Sequence, residues 1–237
     1  MTVVAAQVDY ERLANQALRM LQAGQFSSAL AIYDELLQKF PNYIDGWYNK
    51  GITLTKHFNR HADAVDCFNR GLQINPSDID MWHWRGKSLL ALTRNQEALE
   101  SFERVIQLRP NYRIAIEGKA AALYAMGLYE ESILICDQLL AMYPPGHPKT
   151  AQALLTKSMC LNNTAKYKQT IVFVNKALAI NPQSDELWEI KGAALGGMAK
   201  YKEALSCLEE ALRLNPKNQT AQATLSQIRE VLEDHYG

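Results

Sequence analysis

Six prolines pace this chain. Pro41, Pro76, Pro110, Pro144, Pro182 and Pro216 stand 35, 34, 34, 38 and 34 residues apart. Proline cannot continue a helix, so this spacing cuts the chain into units of near-equal length. A chain of equal units folds as a stack of neighbours rather than around one central core. Four of the prolines close a similar tripeptide: Ile74-Asn75-Pro76, Leu108-Arg109-Pro110, Ile180-Asn181-Pro182 and Leu214-Asn215-Pro216. After three of the six, Pro41, Pro76 and Pro182, a tryptophan follows at the sixth residue, as Trp47, Trp82 and Trp188.

Within a unit the apolar pattern has the helical period, twice. From Asp80 to Leu92, Trp82, Arg85, Gly86 and Leu89 recur at the spacing of one helical face, and Thr93-Arg94-Asn95 interrupts the pattern. From Gln96 to Leu108, Ala98, Phe102, Val105 and Ile106 form a second stripe, which Pro110 ends. No segment alternates with period two over a useful length, so no sheet is expected.

These residues resemble the tetratricopeptide repeat, whose pattern runs W-x2-L-G-x2-Y, then A-x3-F, then P, over about 34 residues. Trp82, Gly86, Leu89, Ala98, Phe102 and Pro110 carry the match in the third unit; Trp47, Gly51, Leu54, Ala64, Phe68 and Pro76 carry it in the second. Trp188, Gly192, Leu195, Ala204, Leu208, Ala211 and Pro216 do so in the sixth. The other three are looser, but Ala17, Ala120 and Ser158 keep the glycine position small. The resemblance implies an all-α, right-handed superhelical solenoid of antiparallel helix pairs. It divides the chain into an N-terminal extension, 1–9, six repeats, 10–43, 44–78, 79–112, 113–150, 151–184 and 185–218, and a capping helix, 219–237. The cap carries Ala221, Leu225, Ile228 and Leu232 on one stripe. Ser132 and Thr170 stand where the family has a small apolar residue, so repeats four and five are expected to be the weak joint. Tyr143 to Pro148 adds four residues between them, a longer turn or a hinge.

Composition narrows the function. The 25 basic and 25 acidic side chains cancel, which argues against nonspecific nucleic-acid or anionic-membrane binding. The N-terminal residues have no basic run and too short an apolar stretch for a targeting or membrane segment. Cys67, Cys136, Cys160 and Cys207 sit inside apolar helical patterns without a C-x-x-C pair, as buried free thiols of a reducing compartment, and the cytoplasm is the expected location. No phosphate loop, dinucleotide fingerprint, H-E-x-x-H or G-x-S-x-G occurs, and no catalytic residue, metal or cofactor is expected. His57 and His61 straddle an inter-helix turn and read as solvated side chains.

Two charge patterns stand out. Residues 138–184 contain Lys149, Lys157, Lys166, Lys168 and Lys176 but no acid, and Lys50, Arg85, Lys119, Lys157 and Lys191 recur once per repeat. The second reads as a ladder of inter-helix ion pairs. The first is the basis of an alternative function, an RNA-binding helical-repeat protein using the basic surface of repeat five.

The resemblance implies a non-catalytic interaction scaffold or adaptor whose first helices line a groove. Helical spacing then selects Tyr48, Asn49, Asp80, His83, Trp84, Lys87, Glu117, Tyr124, Leu155 and Met159 as partner-binding side chains, with Glu186 and Glu189 further along the same face. Trp82 is expected to fill the packing position, leaving Trp84 free as an anchor. Asp45, Asp80 and Glu117 against Lys56 and Lys87 favour a protein or peptide partner with basic and apolar residues. The carboxylate clamp of family members that bind acidic chaperone tails is not reproduced: its positions hold Ala14, Leu18, Asn49, Asp80 and Trp84, of which only Asn49 matches.

Overall fold

The computed structural model describes the backbone of residues 3–236 and the side chains of residues 9–233. The expectation about a targeting segment rests on side chains outside that range. The described residues are all-α. The helices are α1 Val3–Gln22, α2 Phe26–Lys39, α3 Ile44–Phe58, α4 His61–Ile74, α5 Ile79–Ala91, α6 Asn95–Leu108 and α7 Arg113–Ala125. They continue as α8 Tyr129–Ala141, α9 Ala151–Asn163, α10 Tyr167–Ile180, α11 Asp185–Gly197, α12 Tyr201–Leu214 and α13 Gln219–Tyr236, with a single 3-10 turn at Pro148–Thr150. No described helix is long and apolar enough to cross a membrane.

The chain forms two compact units, Met1–Gly118 and Lys119–Gly237. The division falls inside α7, whereas the inserted residues 143–148 lie wholly within the second unit, where α8 packs directly on α9. In each unit consecutive helices pair through short turns, and odd-numbered helices also touch the next odd-numbered one: α3 on α5, and α9 on α11 on α13. The odd helices are thus the inner layer of each unit, as the resemblance implies.

The proline loop works as a helix starter. Two residues beyond the proline, Asp78, Ser184 and Asn218 accept the backbone N–H of Met81, Leu187 and Ala221 at 2.9, 3.3 and 2.9 Å. The tryptophan spacing has the same cause: the indoles of Trp47, Trp82 and Trp188 donate to the carbonyl oxygens of Pro41, Pro76 and Pro182 at 2.7, 2.9 and 3.0 Å. The turn inside each repeat needs one residue in the left-handed region, held by Gly24, Asn59, Thr93, Gly127, Ala165 and Ala199 at φ between 52° and 77°. Only the two glycines announce that conformation in the sequence.

Odd and even helices both supply the core, and each even helix buries a side chain completely at its centre: Tyr33, Phe68, Phe102, Cys136, Val174 and Leu208. In α5 the expected assignment is displaced by one residue. Met81 is fully buried, while Trp82 and Trp84 are both half-buried against the cluster that contains Met81. An indole whose N–H must reach a loop carbonyl at the rim cannot also sit at the centre of the core. Repeats four and five are not loosened by their hydroxyls either. Ser132 donates to Ala120 O at 2.8 Å, Ser158 to Leu154 O at 2.7 Å and Thr170 to Lys166 O at 3.2 Å, and all three residues are fully buried.

Candidate functional site

In the first unit, α3 and α5 bring Tyr48, Asp80 and Trp84 together. Burial pushes the Tyr48 phenol up from its ordinary value, the Asp80 charge adds to this, and a hydrogen bond with Trp84 opposes it. The Trp84 indole carries two ammonium groups, Lys87 at 4.6 Å and Lys56 at 5.0 Å from the ring. Trp84 is therefore less free than its sequence position suggests. Asn49 is half-buried, and its main-chain carbonyl accepts from the Thr53 hydroxyl at 2.7 Å.

His83 is not presented to a partner. It is 8% exposed, edge-on to Trp84 at 5.8 Å and to Tyr112 at 6.3 Å, with its Nδ1 unpartnered. Burial, reinforced by Lys87, holds its pKa below the ordinary histidine value. The helical period puts residue 83 beside 84, but the approach of Phe102 and Tyr112 turns it inward. Glu117 is engaged in an ion pair with Arg113, which leaves Asp80 as the exposed carboxylate among the selected residues of this unit.

In the second unit the inner face deepens into a cleft of about 500 Å3 between α9, α11 and α13. Tyr124, Met159 and Ile190 supply its apolar wall, and Asp185, Glu186 and Glu189 its charge; no lysine or arginine lines it. The Tyr124 hydroxyl accepts from Asn163 Nδ2 at 3.2 Å. Asp185 is held by Asn215 and Asn218 at 2.8 and 3.0 Å. Burial, with Glu186 and Asp185 adding to it, pushes the Glu189 carboxyl up to about 7. Asn162 Oδ1 is buried without a partner beside it. Leu155 is half-buried on α9 and is not part of the cleft wall. Spacing reached Glu186 and Glu189, but it did not select Asp185 at the start of α11, and Asn215 and Asn218 come from a proline loop, which a helical-face argument does not sample.

The two charge patterns resolve only in part into pairs. Lys50 meets Asp34 at 2.6 Å and lies 5.8 Å from the Trp47 ring; Arg85 bonds Asn69 at 2.7 Å and Ser101 at 2.6 Å. In the basic stretch, Lys157 pairs with Asp137 and Lys166 pairs with Glu130 at 2.6 Å. Acids just outside the stretch thus neutralise two of its five lysines, which weakens the basis for RNA binding. His57 and His61 lie on different helices, and His57 stacks on Phe26 at 3.5 Å.

A family model described as tetratricopeptide repeat matches residues 15–79 and 85–147, and one described as anaphase-promoting complex, cyclosome, subunit 3 matches residues 125–211. The peroxisomal targeting signal receptor of Candida glabrata is 30% identical over 104 residues, 44% of this chain but 17% of the receptor. Among solved structures, the type IV pilus biogenesis factor PilW superposes with a TM-score of 0.72 at 15% identity, covering 91% of this chain and 98% of that one. YrrB, a tetratricopeptide-repeat protein with an unusual peptide-binding site, superposes with a TM-score of 0.59 at 13% identity, covering 81% and 96%. At these identities the two structures share the fold.

Proposed function

Because the chain belongs to the tetratricopeptide-repeat family, we propose that it is a non-catalytic scaffold that holds a peptide segment of a partner protein on the inner face of either unit, and that this segment carries basic and apolar side chains. The observation that carries the reading is the cleft of the second unit. Three carboxylates and an unpartnered amide oxygen line it beside Tyr124 and Met159, with no cation of the protein's own. A lysine or arginine side chain would be paired there, and its aliphatic stem would lie on the apolar wall. On the first unit, Tyr48 and Trp84 supply aromatic area of the kind that dominates interface hot spots, with Asp80 at their edge. The match to a subunit of a multiprotein complex supports a part in complex assembly. The four buried free thiols fit a cytoplasmic protein.

Panning random dodecamer peptides against the purified chain tests this. The expected binders combine lysine or arginine with leucine or an aromatic residue. Trp84→Ala or Glu189→Gln should weaken them at least tenfold, about 1.4 kcal/mol, with unchanged circular dichroism. Selected peptides that bind both variants as tightly as the parent would end the reading.

A further inference from the structure

The two irregularities of the sequence, the inserted loop and the lysine-rich stretch, meet in one place. The chain from Tyr143 to Thr150 is tightly folded. The Tyr143 ring stacks on His147 at 4.8 Å, the Thr150 hydroxyl donates to His147 O at 2.6 Å, and Lys149 N donates to His147 Nδ1 at 3.1 Å. Under it lies a cleft of about 320 Å3, walled by Leu140, Pro144, Pro145, Leu154 and Phe173, with Lys176 at its edge. The volume has room for one or two large side chains.

The charge around this cleft has one sign. Lys176 stands 5.1 Å from the Phe173 ring and Lys149 stands 6.0 Å from the Tyr143 ring. Both are exposed and neither makes an ion pair among the described residues, whereas Lys157, 3.9 Å from the Phe173 ring, is already paired with Asp137. No carboxylate lines the cleft. One turn before Lys176, Val172 is 51% exposed and extends the apolar surface along α10. An apolar cleft edged by unpaired cations complements an apolar side chain flanked by carboxylates.

We propose that this cleft is a second docking site, separate from the inner faces, that takes an aromatic or large aliphatic side chain from an acidic segment of a partner protein, with Lys149 and Lys176 pairing the flanking carboxylates. The site depends on the insertion: a repeat joint of ordinary length keeps the period proline, here Pro144, but lacks the second proline, Pro145, and the longer turn that carries Lys149. An RNA strand is a poorer fit, since two lysines of the stretch are neutralised and the walls offer a slot for a side chain rather than a charged track.

The test is fluorescence anisotropy with a labelled peptide of one phenylalanine between pairs of aspartate and glutamate, titrated with the full chain. Saturable binding is expected. It should fall at least tenfold when the phenylalanine is replaced by alanine, in the Lys149→Glu/Lys176→Glu variant, and in Ala179→Trp, which fills the cleft from an exposed position. Glu189→Gln should leave it unchanged, which separates this site from the acidic cleft of α11. No saturation up to millimolar peptide, equal affinity for the alanine peptide, or indifference to both cleft variants overturns the proposal. Tighter binding of oligouridine, competing with the peptide, overturns it in favour of RNA.

Discussion

The side-chain amide of Gln222 donates to the carbonyl oxygen of Pro216 at 2.7 Å. Trp47, Trp82 and Trp188 make the same contact to their own prolines, six residues upstream in each case. This contact places α13 against its proline loop as the first helix of a repeat is placed. Its apolar stripe, Ala221, Leu225 and Ile228, closes the cluster around Leu195, Cys207 and Leu208. Its exposed face carries Gln222, Gln227, Arg229 and Glu230. A helix with one apolar and one polar face ends a stack without offering a surface for another copy.

Truncation after Pro216 should therefore uncover Leu208 and its neighbours. The shortened chain is expected to elute as aggregate in size-exclusion chromatography and to melt earlier. Elution as a monomer with unchanged melting would remove the capping role from α13.

Gly51→Ala should destabilise, although alanine is the better helix former by about 1 kcal/mol. A Cβ at this position would lie 2.6 Å from the ring of Phe68, a fully buried side chain that would have to shift. The expected loss is about 1–3 kcal/mol in chemical denaturation. A gain in stability would mean that the α3–α4 contact is looser than the geometry states.

Met81→Ala should cost about 2–5 kcal/mol and Trp82→Ala less, because the methionine is fully enclosed and the indole lies at the rim. Denaturant midpoints in the reverse order would restore Trp82 to the centre of the core.

Ala165→Gly and Ala199→Gly should stabilise, in contrast to the usual effect of glycine. Both alanines are exposed and hold φ of 55° and 57°, where a Cβ is crowded by its own carbonyl. Roughly 0.5–1 kcal/mol is expected from each in thermal or urea unfolding. A loss would show that unfolded-state entropy outweighs the strain.

Glu189 makes stability fall with rising pH. Its folded pKa of about 7 lies above the ordinary 4.5, so the penalty for ionising it is absent below 4.5, grows between the two values and is complete above 7. Glu189→Gln should remove about 1–3 kcal/mol of the stability lost between pH 5 and pH 8. The same ionisation should tighten the grip of the second unit on a cationic peptide as pH rises through 7. Parallel stability profiles for the variant and the parent would show that the carboxyl is already ionised at pH 5.

The proline period and the paired helical stripes by themselves determined the fold, because both are local: where a helix stops and which face is apolar are written within a few residues. The family resemblance assigned the first helices to the inner layer, and helical spacing on them then reached Glu186 and Glu189. Packing between helices decided the rest. His83 and Trp84 are neighbours on one helix, yet Phe102 and Tyr112 bury the first, while Lys56 and Lys87 leave the second half-open. The lysines of the fifth repeat look alike in sequence, yet Asp137 and Glu130 neutralise two of them and leave Lys149 and Lys176 unpaired beside an apolar cleft. Those partners lie 20 and 36 residues away along the chain, so only the stacking of one repeat on the next brings them within reach.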